Sequence, residues 1–131
     1  MRGLDTNVLV RYFTQDDPVQ ARKATAMIHE IVDKGGRCLV NLIVLCELTW
    51  VLRGAYEFDK ADLAMLLEKM LATSQFVLEE KDLVRDALED YRWGPGDFAD
   101  YVLSRVNRVA GCDRTATFDQ RLKKSELFMV L

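Results

Sequence analysis

The run Leu42-Ile43-Val44-Leu45-Cys46-Glu47-Leu48-Thr49-Trp50-Val51-Leu52 constrains the fold of this chain more than any other stretch. Asn41 in front of it can cap a helix, so the run predicts one extending to about Gly54. A helix that is apolar nearly all round belongs inside a protein, packed between other layers. Glu47 is its one charge. A lone buried carboxylate costs several kcal/mol, so Glu47 is expected to be paired, protonated, or turned into a polar cleft that takes a cation.

Short apolar runs alternate with helical patterns on either side. Gly3-Leu4 leads into Asp5-Thr6-Asn7 and then Val8 to Phe13, which reads as a brief buried strand, an acidic turn and a short helix. Asp16-Asp17-Pro18 opens a second helix with an acidic cap and a first-turn proline. Ala24, Met27, Ile28, Ile31 and Val32 share its face, and Lys34-Gly35-Gly36 stops it. Cys38 to Val40 and Phe76 to Val77-Leu78 read as strands, with an amphipathic helix carrying Leu63, Leu66, Leu67, Met70 and Leu71 before the second of them. Glu79 to Arg92 predicts a helix, Trp93-Gly94-Pro95-Gly96 a turn, and Asp97 to Val106 another helix. A strand within Ala110 to Thr117, a short helix from Asp119 and a strand over Leu127 to Val130 complete the chain. Strands and helices in alternation imply an α/β fold with a mostly parallel sheet between helical layers.

With 131 residues, half of them apolar and only two prolines, the chain reads as a single domain over residues 1–131 with no linker or repeat. Asp5 interrupts any apolar signal core at the N-terminus, and no run approaches the roughly 20 residues that span a bilayer. A cytoplasmic protein without membrane contact is expected. Cys38, Cys46 and Cys112 are odd in number and lack Cys-x-x-Cys spacing, which reads as reduced core thiols. A net charge of −3 argues against a general polyanion-coating protein but not against a nucleic-acid enzyme whose acids hold cations.

The acids recur at equivalent places. Asp5 ends the first strand, Glu47 follows the second, Asp97 and Asp100 open a later helix three residues apart, and Asp119 follows the fourth strand. Right-handed crossovers would gather such positions at one edge of a sheet. Two carboxylates about 5 Å apart repel by roughly 3 kcal/mol at an effective dielectric near 20, so a cluster of such acids calls for divalent cations. Oxygen ligands without His or Cys suit Mg²⁺ or Mn²⁺.

Asp5-Thr6-Asn7, Glu47 in an apolar helix, Asp97-Phe98-Ala99-Asp100 before an aliphatic run, and Thr117-Phe118-Asp119 near the end together resemble the PIN-domain ribonucleases, in particular the VapC toxins of toxin–antitoxin pairs. Four motifs in this order cover essentially the whole chain. The resemblance implies a three-layer α/β/α domain with a parallel sheet of about five strands, and cleavage of RNA by a water activated with Mg²⁺ or Mn²⁺. It implies Asp5, Glu47, Asp100 and Asp119 as catalytic acids, with Asp5, Asp100 and Asp119 on the metal and Glu47 positioning and deprotonating the water. Asn7, Asp97 and Thr117 match supporting positions. It further implies a homodimer and inhibition by a VapB-like antitoxin, for which the Ala24 to Val32 and Leu63 to Leu71 faces offer apolar surface unless core packing uses them.

Plainer readings stand beside these. Asp5, Asp97 and Asp119 are each natural helix caps, Asp100 can complement a helix dipole, and Thr6 is a turn residue. His29 belongs to a solvated face, and Trp50 and Trp93 read as packing residues rather than stacking platforms. Arg92, Arg105, Arg108 and Arg114, then Arg121, Lys123 and Lys124, make the second half locally basic, enough to solvate a surface or to steer an RNA backbone. Two other functions compete: a catalytically silent PIN-fold binding module, and a phosphohydrolase with Asp5 as nucleophile, although that chemistry wants a second Asp where Asn7 stands.

Overall fold

The computed structural model describes residues 1–131 and divides them into two compact units, Met1–Lys81 and Asp82–Leu131. In the first, strand β1 (Arg2–Gly3) leads to helices α1 (Thr6–Thr14) and α2 (Pro18–Asp33), then β2 (Cys38–Val40), α3 (Leu42–Ala55), α4 (Lys60–Ala72) and β3 (Phe76–Leu78). The strands form a parallel sheet in the order β1-β2-β3, with Arg2 beside Cys38 and Cys38 beside Phe76. The central strand of this sheet is therefore β2. The N-terminal strand is shorter than its apolar lead-in suggests: it spans only Arg2 and Gly3, both exposed, with the buried Leu4 donating one further bond to Leu39 O before α1 begins at Thr6.

Local signals account for the helix boundaries. The Asp17 carboxylate accepts from the N–H groups of Val19 and Gln20 just ahead of Pro18, and Asn41 accepts from Val44 N at 2.9 Å. Asp59 and Asp62 exchange side-chain to backbone bonds as a capping box at the start of α4. Helix α2 ends where Gly35 takes a φ of 79°, a conformation that favours glycine.

Core packing uses part of the two apolar helix faces, while Met27, Ile31, Val32, Leu66 and Leu71 are half-buried. Ala24 and Ile28 of α2, and Leu63, Leu67 and Met70 of α4, are buried. Tyr12 and Phe13 meet Phe76 with ring centroids 6.1 Å apart, beneath the sheet's third strand. Helix α3 departs from the expectation of an all-round buried helix. Val44, Leu45, Leu48, Thr49 and Leu52 form its buried face, whereas Ile43 is 71 % exposed, Trp50 is 56 % exposed and Glu47 lies with them at helical spacing. Neighbouring elements cover only this one stripe of α3, so the apolar residues outside it face water.

The second unit comprises α5 (Lys81–Trp93), α6 (Phe98–Val109), β4 (Thr115–Thr117), a 3₁₀ turn over Gln120–Leu122 and β5 (Phe128–Val130). Strands β4 and β5 pair in parallel, Thr115 beside Phe128. The five expected strands are all present and every pairing is parallel, hydrogen-bonded as a sheet of three and a sheet of two. Leu83, Val84, Ala87, Leu88 and Tyr91 form the buried face of α5 at the expected spacing. Tyr91 meets Phe98 edge-on at 6.1 Å, and Tyr101 of α6 meets Phe128 at 6.3 Å. Cys38 is buried, but Cys112 is exposed, so only part of the expected set of core thiols is in the core; all three are free. No helix is long and apolar enough to cross a membrane.

Candidate active site

In the N-terminal unit the acidic turn places Asp5 at the N-cap of α1, with an extended backbone at φ −82° and ψ 158°. Its carboxylate nevertheless makes no capping hydrogen bond. Asp5 and Asn7 are exposed, and Thr6 between them is buried with its hydroxyl unpartnered. A buried hydroxyl without a partner is costly, and such a defect beside an uncommitted carboxylate marks a turn not optimised for stability. Asn7 lines a groove of about 260 Å³ between α1 and α2, together with Val8, Arg11 and Lys23.

Glu47 stands on the exposed face of α3 rather than within the apolar interior, which removes the burial penalty expected for it. The N-terminus of the same helix has a second cap, for Glu79 accepts from Leu42 N at 2.9 Å in addition to the bond to Asn41. Glu79 lies 37 residues away in sequence, and nothing in the local pattern points to it.

The C-terminal unit gathers Asp97, Asp100 and Asp119 around one guanidinium. Arg121 meets Asp119 at 2.7 Å, Asp97 at 3.6 Å and Asp100 at 3.7 Å. Asp119 is held further, accepting from Arg121 N at 2.9 Å and donating its own N–H to the Thr117 hydroxyl at 3.1 Å. Asp97 takes the N-cap position of α6, and Asp100 reaches back to accept from Asp97 N at 2.8 Å. The capping readings of Asp97 and Asp119 and the clustering of the acids therefore coexist.

The electrostatics follow from this arrangement. Burial raises the Asp100 carboxyl above its ordinary value; the neighbouring Asp97 and Asp119 carboxylates add to this, and the Asp97 N–H and Arg121 oppose it. The hydrogen bonds from Arg121 lower Asp119, and the same bonds raise Arg121 still further above its ordinary range. Arg121 appeared in the sequence only as one basic residue among several. Its position two residues after Asp119, inside a helical turn, was the available signal.

No group of three acidic, histidine or cysteine side chains stands arranged to hold a metal ion. The donor chemistry nonetheless suits one. Three carboxylates share a cation here, one of them resists ionisation, and all offer oxygen ligands of the kind Mg²⁺ and Mn²⁺ take. Trp93, expected to pack, is 83 % exposed, as is much of Trp50. His29 is exposed, in keeping with its solvated face.

The PIN domain family model matches residues 4–126. A VapC ribonuclease of Aquifex aeolicus (strain VF5) is 27% identical over 124 residues, covering 95% of this chain and 91% of that protein. No solved structure matches the chain. Strands and helices in alternation, parallel pairing throughout and a family match over nearly the full length lead to one assignment: the chain belongs to the PIN-domain family.

Proposed function

We propose that this protein is a divalent-cation-dependent endoribonuclease, the VapC-like toxin of a toxin–antitoxin pair, acting in the cytoplasm as one domain over residues 1–131. The observation that carries the reading is the convergence of Asp97, Asp100 and Asp119 on the Arg121 guanidinium, which brings three carboxylates to one cation. Kinship with the PIN family and likeness to a VapC ribonuclease supply the chemical class.

In this reading Asp5, Asp100 and Asp119 hold Mg²⁺, or Mn²⁺ in its place. When bound, such an ion supplies charge neutralisation for an in-line displacement at phosphorus and makes water a stronger nucleophile. Glu47 positions the attacking water and accepts its proton as general base. Asp5 is available for ligation because its carboxylate is not spent on capping α1. Thr117 keeps Asp119 in place by accepting its N–H, while Asp97 and Asn7 support the acids. Arg121 neutralises the cluster and would compete with an ion for the same oxygens. An antitoxin of VapB type is the expected inhibitor, an arginine being a natural rival for these acids, and a homodimer the expected assembly.

The presence of all the acids favours a nuclease over a silent binding module, and Asn7 in place of an Asp disfavours Asp5 as a covalent nucleophile. The test is incubation with RNA in the presence and absence of Mg²⁺, with a chelator control. Cleavage that needs the ion and disappears in Asp5→Asn is the expected result; RNA left intact under all conditions, or cut equally by Asp5→Asn, overturns the reading.

A further inference from the structure

Beside the acid cluster, and entirely within the C-terminal unit, lies a cavity of about 650 Å³ that none of the assigned roles uses. Trp93, the Gly94-Pro95 turn, Tyr101, Arg121, Lys123 and Lys124 are among the residues that line it. We infer that this cavity binds one nucleotide of the single-stranded RNA substrate, with Trp93 stacking on the base and Lys123 and Lys124 contacting phosphate. The inference rests on the ribonuclease reading and extends it to a subsite.

Three features support it. Trp93 is 83 % exposed, and its indole Nε1 donates to Glu89 Oε1 at 2.7 Å across one helical turn, which orients the ring. A large aromatic exposed to water contributes little to packing and is a suitable stacking surface, because every base presents a π-face. The turn that follows is anchored as well: Gly96 N donates to the buried Tyr101 hydroxyl at 3.0 Å. A Cβ at Gly94 would stand 2.0 Å from that hydroxyl oxygen and 2.9 Å from the Asp90 carbonyl, so only glycine lets the turn approach so closely.

Charge supplies the third feature. Asp90 is spent on Arg105 through two bonds of 2.7 Å, Glu89 on the indole and on Arg92, and Arg121 on the acids. Lys123 and Lys124 are exposed and stand in no ion pair. The uncommitted charge around the cavity is therefore positive, although the whole chain carries −3. A cavity of this size takes a single small ligand, which suits one nucleotide and not a duplex. Arg121 both lines the cavity and holds the acids, so a strand seated here lies next to the carboxylates.

The test measures binding of a fluorescein-labelled oligoribonucleotide of about ten nucleotides by anisotropy, with chelator present so that nothing is cut. Trp93→Ala is expected to weaken binding roughly ten-fold, with Trp93→Phe restoring most of it. Lys123→Ala combined with Lys124→Ala should reduce the slope of log affinity against log salt by about one to two. Thermal melting, unchanged in all three, separates these effects from misfolding. In a Trp50→Phe background the fluorescence of Trp93 should be quenched by the RNA. Wild-type affinity in the Trp93→Ala and double-lysine variants, with metal-dependent cleavage intact, overturns the subsite and leaves the ribonuclease reading standing. Quenching of Trp93 by an acidic peptide but not by RNA also overturns it. RNA neither bound nor cut by the wild-type protein removes both.

Discussion

Asp5 and Asp119 both sit at the N-cap of a helical turn, one in each unit, and they use the position in opposite ways. Asp119 accepts from Arg121 N, holds the Arg121 guanidinium and is itself steadied by Thr117. Asp5 makes no capping bond at all. Side-chain capping normally contributes about 1 kcal/mol, and leaving it unmade beside a buried, unpartnered Thr6 hydroxyl is a local sacrifice of stability. The C-terminal acids are neutralised in advance by a resident cation, whereas the N-terminal acids Asp5 and Glu47 are exposed and uncommitted. One set is paired with a positive charge of the chain itself; the other is not.

This contrast can be broken most severely at Asp5. Asp5→Asn is expected to reduce RNA cleavage by at least about 100-fold, read from initial rates, since it removes a carboxylate from transition-state charge stabilisation worth several kcal/mol. Next in size is Arg121→Gln. Without the guanidinium competing for Asp97, Asp100 and Asp119, calorimetric titration with Mn²⁺ should show roughly ten-fold tighter binding. Unchanged or weaker binding would mean that Arg121 does not compete with the ion.

A smaller effect separates two acids of the same cluster by pH. Asp119 has a lowered folded pKa, caused first by the hydrogen bonds from Arg121, so its stabilisation is present above the ordinary carboxylate value and is lost as pH falls through the folded one. Asp100 has a raised folded pKa, caused first by burial, so its ionised form subtracts from stability above that value, and the penalty fades as pH falls toward the ordinary one. In chelator, Asp119→Asn should therefore lower the melting temperature near pH 7, and Asp100→Asn, which keeps an acceptor for Asp97 N, should raise it. Both differences should shrink near pH 4. Shifts of the same sign in the two variants would refute this division.

The smallest expected effect compares two N-caps within the first unit. Asn41→Ala should cost about 1 kcal/mol in denaturant unfolding, because Asn41 accepts from Val44 N, while Asp5→Ala should fall within about 0.5 kcal/mol of wild type. An equal cost at both positions would show that Asp5 caps α1 in solution.

Much of the fold could be read from local pattern. The caps at Asp17 and Asn41, the stop at Gly35 and the buried stripe of α5 depend on residues a few positions apart, and each lies where the pattern puts it. Less legible was anything that depends on which side of an element faces water. Residues Leu42 to Leu52 are apolar all round, and only the packing of α3 on α1 and α4 exposes Ile43, Glu47 and Trp50. Trp93 is likewise a core residue by composition and a surface residue by position.

Residue types, their order and their short-range spacing thus determined the elements, the parallel α/β class and the family, because helix and strand formation respond to neighbours within one turn or one pleat. Tertiary structure decided which carboxylates are spent and which are left uncommitted. Arg121 joining Asp97 and Asp100, and Glu79 capping α3, are contacts between distant positions, and no local periodicity encodes them. Charges at a candidate site acquire their meaning from partners that only the folded chain brings within a few ångströms.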